Sequence, residues 1–170
     1  MDKIAICFSF NTNKTSLAAK KIAEEFGQDR VELVNAETLT PEQFISFKNY
    51  ILGVPTWFDG ELPNYWDEFV PALEDLDLKG KKIALFGNGD QKGYPENFVD
   101  GIGIMADMLE KYGATIVGYT SADGYTFENS KARRGNRFIG LALDFENQGK
   151  QINRKIKDWC RQLKAEFYNE

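Results

Sequence analysis

Along this chain, short continuous apolar runs alternate with stretches in which apolar residues recur every three or four positions. Ile4-Ala5-Ile6-Cys7-Phe8 is apolar throughout and of strand length, the pattern of a strand buried on both faces of a parallel sheet. Ala18, Ile22 and Phe26 then repeat every four residues, predicting a helix that Gly27 stops. Arg30 to Val34 predicts a half-polar second strand. Thr40-Pro41-Glu42-Gln43 is a capping box with Pro at the first helical position, opening a short helix through Phe44, Ile45 and Phe47. Tyr50 to Val54 predicts a third strand, and Trp66, Phe69, Val70, Leu73 and Leu76 a helix after it. Lys81 to Phe86 gives a fourth strand, followed by a helix over Ile102, Met105 and Leu109 that stops near Gly113.

The end of the pattern is irregular. Thr115 to Tyr119 and Phe138 to Leu143 both read as strands with no helix between them, and the polar stretch from Thr120 to Arg137 reads as an insertion or long loop. Ile152, Ile156, Trp159, Leu163 and Phe167 close the chain at helical spacing, with Lys155, Lys157, Arg161 and Lys164 on the opposite face. Repeated strand-helix alternation predicts an α/β, three-layer, doubly wound fold, because parallel neighbours need crossover helices. Ligands of such sheets bind beyond the carboxyl ends of the strands, here just after Phe8, Val54 and Phe86.

Composition narrows the chemistry. The chain has 170 residues, which predicts one domain over residues 1–170 with a core large enough to need neither disulfide nor structural metal. It has no histidine, which removes His-based nucleophile systems, HExxH zinc sites and any unperturbed side chain titrating between pH 5 and 8. Cys7 and Cys160 lie far apart with no CxxC spacing, so both are expected as inert core thiols. The net charge of −5 argues against nucleic acid as a partner. The apolar stretch ending by Phe10 is too short for a signal-peptide core or a bilayer span, so a cytoplasmic protein without membrane insertion is expected.

Three strand ends carry candidate chemistry. Ser9-Phe10-Asn11-Thr12-Asn13-Lys14-Thr15 leads into a helix N-terminus, whose free N–H groups and dipole suit a phosphate; an ordinary N-cap by Asn11 or Thr12 is the competing reading. Pro55-Thr56-Trp57-Phe58-Asp59-Gly60 sets two large aromatics in a loop, either as a stacking surface or as a loop anchor. Asn88-Gly89-Asp90, with Tyr94 following, allows close backbone approach to a ligand or is a plain glycine turn. Together they describe a site for a flat phosphorylated heterocycle.

At these residues the sequence resembles the long-chain flavodoxins. The resemblance covers nearly the whole chain and is most specific at Pro55-Thr56-Trp57, at Ala84 to Gln91 with Gly93-Tyr94, at Gly113 to Gly118 and at Phe138 to Asp144. It implies a five-stranded parallel sheet of order 2-1-3-4-5 with strand 5 interrupted by a long loop; that family is a standard instance of this order, with FMN at the switch between strands 1 and 3, so the order comes with the resemblance. It further implies that residues Phe10 to Thr15 wrap the FMN phosphate, that Trp57 and Tyr94 sandwich the isoalloxazine, and that Asn88 to Asp90 run along its pyrimidine edge. Thr56, Asn97 and Asp144 would lie near the ribityl chain or the loops that hold it. The implied function is a soluble low-potential one-electron carrier rather than an enzyme.

Two departures from the family pattern bear on affinity and potential. Phe10 stands where a hydroxyl is usual and Asn13 where Gly is usual, so FMN is expected to bind more weakly, Asn13 tolerating a left-handed turn. Phe58 carries the carbonyl that would turn toward the reduced ring, and its side chain strains any turn needing positive φ. Between Lys48 and Lys79 there is no Lys or Arg, whereas Asp59, Glu61, Asp67, Glu68, Glu74, Asp75 and Asp77 all fall there. This is a solvated face or a steering surface for basic redox partners, such as an NADP-flavodoxin reductase, a photosystem, or oxidoreductase or nitrogenase components, acting on a monomer. An FMN-dependent quinone or nitro reductase on the same fold is the alternative. A receiver domain would need an acidic pair after the first strand, which Ser9-Phe10-Asn11 does not supply.

Overall fold

A computed structural model describes residues 2–168. The central strand β1 (Ile4–Phe8) is flanked by β2 (Val31–Asn35) and β3 (Asn49–Gly53), and β3 by β4 (Lys82–Asn88), all parallel. Strand β5 (Thr115–Val117) pairs with the first half of β4, giving the order β2-β1-β3-β4-β5. Side-chain alternation splits the core in two. Ala5 and Cys7 of β1 face one layer, and Ile4, Ile6 and Phe8 face the other.

Helices α1 (Lys14–Phe26) and α5 (Ile152–Tyr168) cover the second face, with Trp159 buried against Phe86. Helices α2 (Pro41–Ile45), α3 (Asn64–Leu73) and α4 (Asp100–Lys111) cover the first, led by Phe44, Trp66, Phe69 and Met105. Fully burying a large apolar side chain contributes about 1.5–3 kcal/mol. The two buried tryptophans also lock polar geometry, since Trp66 Nε1 donates to the Gly53 carbonyl and Trp159 Nε1 to that of Gly118, each at 2.9 Å. The N-cap half of the expected capping box forms: Thr40 Oγ1 accepts from the Gln43 N–H at 3.1 Å.

Three expectations are corrected. Helix α3 ends at Leu73, because Pro71 lies in its last turn and the Glu74 N–H bonds to the Pro71 carbonyl; Leu76 sits in the turn beyond, still against the core. The strand read to Tyr119 stops at Val117, since Gly118 at φ +86° leaves the extended path. The run from Phe138 to Leu143 is two strands. Its first residue belongs to a small antiparallel sheet of β6 (Thr120–Ser121), β7 (Arg133–Arg134) and β8 (Arg137–Phe138), which orders part of the long loop. Its end, β9 (Leu141–Leu143), returns to pair with the last residues of β4. The fifth strand position is thus filled by β5 and β9 in succession, with the loop between them.

Among the described residues no helix is long and apolar enough to cross a membrane. Both cysteines are buried and free, and burial pushes the Cys160 thiol up to about 12 and the Cys7 thiol higher still, as expected of inert core residues.

Candidate functional site at the carboxyl ends of the strands

The loops after β3 and β4 enclose a cleft of about 610 Å³, within the range of small-molecule sites. Thr56, Trp57, Phe58, Asp59, Gly89, Asp90, Tyr94 and Asn97 line it, so eight of the residues singled out from sequence meet there. The loop after β3 is closed by Trp57 and Glu61, whose backbones exchange hydrogen bonds of 2.8 and 2.7 Å. Inside that bridge Phe58 has φ +50° and Gly60 φ +91°. Gly60 is required: a Cβ there would stand 2.7 Å from Asp100 Oδ2. Phe58 pays the strain of a left-handed non-glycine residue, about 1–2 kcal/mol. The turn pushes its ring outward, 74 % exposed, while Trp57 packs edge-on against Tyr65 of α3. The loop-anchor reading therefore fails for Phe58.

Opposite, Tyr94 is 61 % exposed for so large an aromatic, on a loop tied down from below. Asp90 Oδ1 accepts from the Lys92 and Gly93 N–H groups at 3.1 and 2.8 Å, and from Asn147 Nδ2 at 2.8 Å. The Gly93 N–H, the Asn147 amide and, more weakly, the Lys14 charge hold its carboxyl below the usual carboxylate range. Thr56 Oγ1 accepts from the Gly101 N–H at 2.9 Å, and Asn97 Nδ2 donates to the Asp59 carbonyl at 3.0 Å, bracing one loop against the other.

Pro55, Gly60, Asn88 and Asp144 do not line the cleft itself. Asp144 is completely buried, and its carboxylate accepts from the Gln91 N–H and Nε2 and from the Asn147 N–H and Nδ2. These bonds tie the loop at Gln91 to the turn at Asn147.

The first loop, residues 10–15, lies at the neighbouring strand end. Helix α1 begins with no side-chain cap on Asn13 and no acid in its first turn, leaving the first-turn N–H groups without intrahelical partners. The N-cap expectation for Asn11 and Thr12 is not met: Thr12 Oγ1 donates to the Ser9 carbonyl at 2.8 Å, and Asn11 Nδ2 goes to Glu37. Asn13 is right-handed, at φ −93°, so its tolerance of a left-handed turn is not used. Phe10 is 48 % exposed and rests on Phe8, with ring centroids 5.0 Å apart. Lys14 reaches Glu146, and Asn147 reaches Asp90, so the turn after β9 joins the first loop to the third.

Sequence reasoning missed Phe98 and Val99 in the cleft wall, Val99 at φ +47°, and missed Asn147 and Glu37; Gln91 stood in the third loop without a role. Asn147, three residues beyond Asp144, was open to discovery as an Asx-type turn; Glu37 had no local signal.

All seven acids from Asp59 to Asp77 are exposed. Arg134 of β7 is engaged by Glu110 and Asp107.

Comparison with known proteins extends this picture. The family model described as flavodoxin matches residues 6–159. A flavodoxin of Trichodesmium erythraeum is 43 % identical over 169 residues, covering 98 % of this chain and 99 % of its own. Flavodoxin 1 of Escherichia coli is 37 % identical over 164 residues, covering 96 % and 93 %. The crystal structure of Fusobacterium nucleatum flavodoxin bound to flavin mononucleotide superposes with a TM-score of 0.91 at 34 % identity, covering 98 % of this chain and 99 % of that one. The match runs through every layer of the fold and through all three strand-end loops, and on that ground the chain belongs to the flavodoxin family.

Proposed function

We propose that the chain is a one-electron carrier that holds FMN without a covalent bond and passes electrons between redox proteins. The carrying observation is the cleft at the strand ends, rimmed by Trp57 and Tyr94 and adjoined by an uncapped helix N-terminus. These features fit the group: two aromatic rings for a flat heterocycle, and free N–H groups for a phosphate. Bound FMN would supply the electron chemistry, taking up and releasing electrons one at a time.

The protein's part is to bind, orient and set the electrostatics. Residues Phe10 to Thr15 hold the phosphate, chiefly through backbone N–H groups. Trp57 and Tyr94 cover the ring, Asn88 to Asp90 follow its pyrimidine edge, and Thr56 and Asn97 stand toward the ribityl chain. Asp59, Glu61 and an ionised Asp90 surround the slot with negative charge, which opposes further negative charge on the ring and gives a low potential for the last electron. The Phe58 side chain, at φ +50°, narrows the backbone conformations open to its carbonyl should that carbonyl turn toward a bound ring.

The exposed acids from Asp59 to Asp77 flank this slot and would steer a partner with a basic docking face: an NADP-flavodoxin reductase, a photosystem, or an oxidoreductase or nitrogenase component. The carrier would act as a cytoplasmic monomer. A quinone or nitro reductase is not favoured, because rings on both sides of the slot leave little room for a substrate over the flavin.

Titrating the apoprotein with FMN and following flavin fluorescence tests the reading. Quenching with one-to-one stoichiometry is expected. Rapid quinone turnover with NADPH and no added reductase would instead establish an enzyme.

A further inference from the structure

Glu37 lies in the 3-10 turn Ala36–Thr38 that follows β2, and its side chain reaches across to the loop after β1. Ser9 Oγ donates to Glu37 Oε2 at 2.6 Å, and Asn11 Nδ2 donates to the same oxygen at 2.8 Å. Asn35 Oδ1 braces the arrangement, accepting from the Phe10 N–H at 3.3 Å and the Glu37 N–H at 3.2 Å. Ser9 is buried, so its hydroxyl has little solvent to turn to. The Ser9 and Asn11 donors hold the Glu37 carboxyl below its usual range, so it is ionised at neutral pH. Two other ionisable groups bear on this corner. Lys14, the only basic residue of the loop, is turned to Glu146, and Tyr65 of α3 keeps its proton because burial and the Glu37 charge both push its phenol up.

A negative group of the protein therefore stands against the loop that the proposed function gives to the FMN phosphate, holding the side chains of Asn11 in that loop and of Ser9 just before it. Resting on that reading, we infer that Glu37 is an internal competitor of the phosphate and sets how strongly the protein distinguishes FMN from the unphosphorylated flavin. A phosphate ester carries about −1.5 to −2 charges at neutral pH. It cannot share Ser9 and Asn11 with a carboxylate without repulsion, and their release from Glu37 loses two charge-assisted hydrogen bonds. Glu37 thus has opposite effects in the two states: it orders the empty loop and opposes the filled one. Riboflavin, lacking the phosphate, leaves the Glu37 contacts in place.

The test measures dissociation constants for FMN and for riboflavin by fluorescence titration of the apoprotein, in the parent chain, Glu37→Gln and Glu37→Ala, with the thermal midpoint of each apoprotein as a second readout. Both variants should bind FMN about tenfold more tightly, the loss of roughly one charged hydrogen bond's worth of opposition. Riboflavin affinity should stay within about twofold, and the Glu37→Ala apoprotein should melt earlier. If the parent prefers FMN over riboflavin but neither variant gains FMN affinity, the competitor role is overturned and the phosphate loop stands. If the parent binds riboflavin as tightly as FMN, the phosphate loop itself is misassigned and the inference falls with it.

Discussion

The side-chain amide of Asn147 donates to Asp90 Oδ1 at 2.8 Å while lying 2.9 and 3.1 Å from the two carboxylate oxygens of Asp144. One nitrogen thus ties a fully buried carboxylate in the floor of the fold to an acid at the edge of the cleft. The Asn147→Ala variant releases the loop that carries Asp90 and Tyr94 and leaves the Lys14–Glu146 contact to the first loop in place. It should weaken FMN and riboflavin equally, by about 1–2 kcal/mol, in parallel fluorescence titrations. A loss confined to FMN would contradict this placement. Removing Asp144 acts on the fold instead. Asp144→Ala strands the Gln91 and Asn147 donors in the interior and should cost about 3–5 kcal/mol in urea unfolding of the apoprotein.

Phe58 sits at φ +50° in a turn that glycine would occupy without strain. Phe58→Gly should leave apoprotein stability unchanged or raise it by about 1 kcal/mol, relief of strain being partly offset by the greater freedom of glycine in the unfolded chain. In the FMN-loaded protein the freer Phe58 position should let the backbone carbonyl adapt, and the two one-electron midpoint potentials should move apart. An unchanged separation in a potentiometric titration would remove strain at Phe58 from the account.

Phe10 offers the phosphate no hydroxyl, and its ring spends its contacts on Phe8. Phe10→Thr should strengthen FMN binding by about 1.5–3 kcal/mol, the scale of a hydrogen bond to a charged group, while riboflavin binding stays as it was. Equal FMN affinity of variant and parent would show that backbone N–H groups alone saturate the phosphate.

The absence of histidine shapes the pH profile of the apoprotein. Glu37 and Asp90 have folded-state pKa values below their unfolded ones, so their stabilisation is present at neutral pH and is lost as pH falls through those depressed values, below about pH 4. Cys160, raised to about 12, contributes stability below its unfolded pKa and loses it as pH rises from about 9 toward 12. Cys7, Tyr50, Tyr65 and Tyr125 act in the same direction, and Lys81 and Lys155, whose ammonium forms burial disfavours, act against them. Urea midpoints should be flat from about pH 5 to 8 and fall on both sides. A titration step inside that window would contradict the profile.

How much of this was legible depended on how local the cause was. Strands buried on both faces, such as β1 and β3, announce themselves by their apolar runs, Ile4 to Phe8 and Tyr50 to Gly53, and the N-cap at Thr40 acts through its own next three residues. The cleft loop after β3 was readable from its mix of aromatics, Pro and Gly. The break in the fifth strand was visible only as an oddity; that β9 rejoins β4 depends on partners far away in sequence. The side chains of Glu37 and Asn147 were missed for the same reason, since contacts spanning 26 and 57 residues leave no trace in periodicity. The N-cap at Asn11 or Thr12 was a sound local reading that lost to tertiary partners, Glu37 and the Ser9 carbonyl.

FMN seated between Trp57 and Tyr94 in an acidic slot is the central proposal, and potentiometric titration of the FMN-loaded protein tests it most directly. Two resolved one-electron steps are expected, the second at the lower potential. Failure to retain FMN, or a single two-electron step at the potential of free FMN, would contradict it.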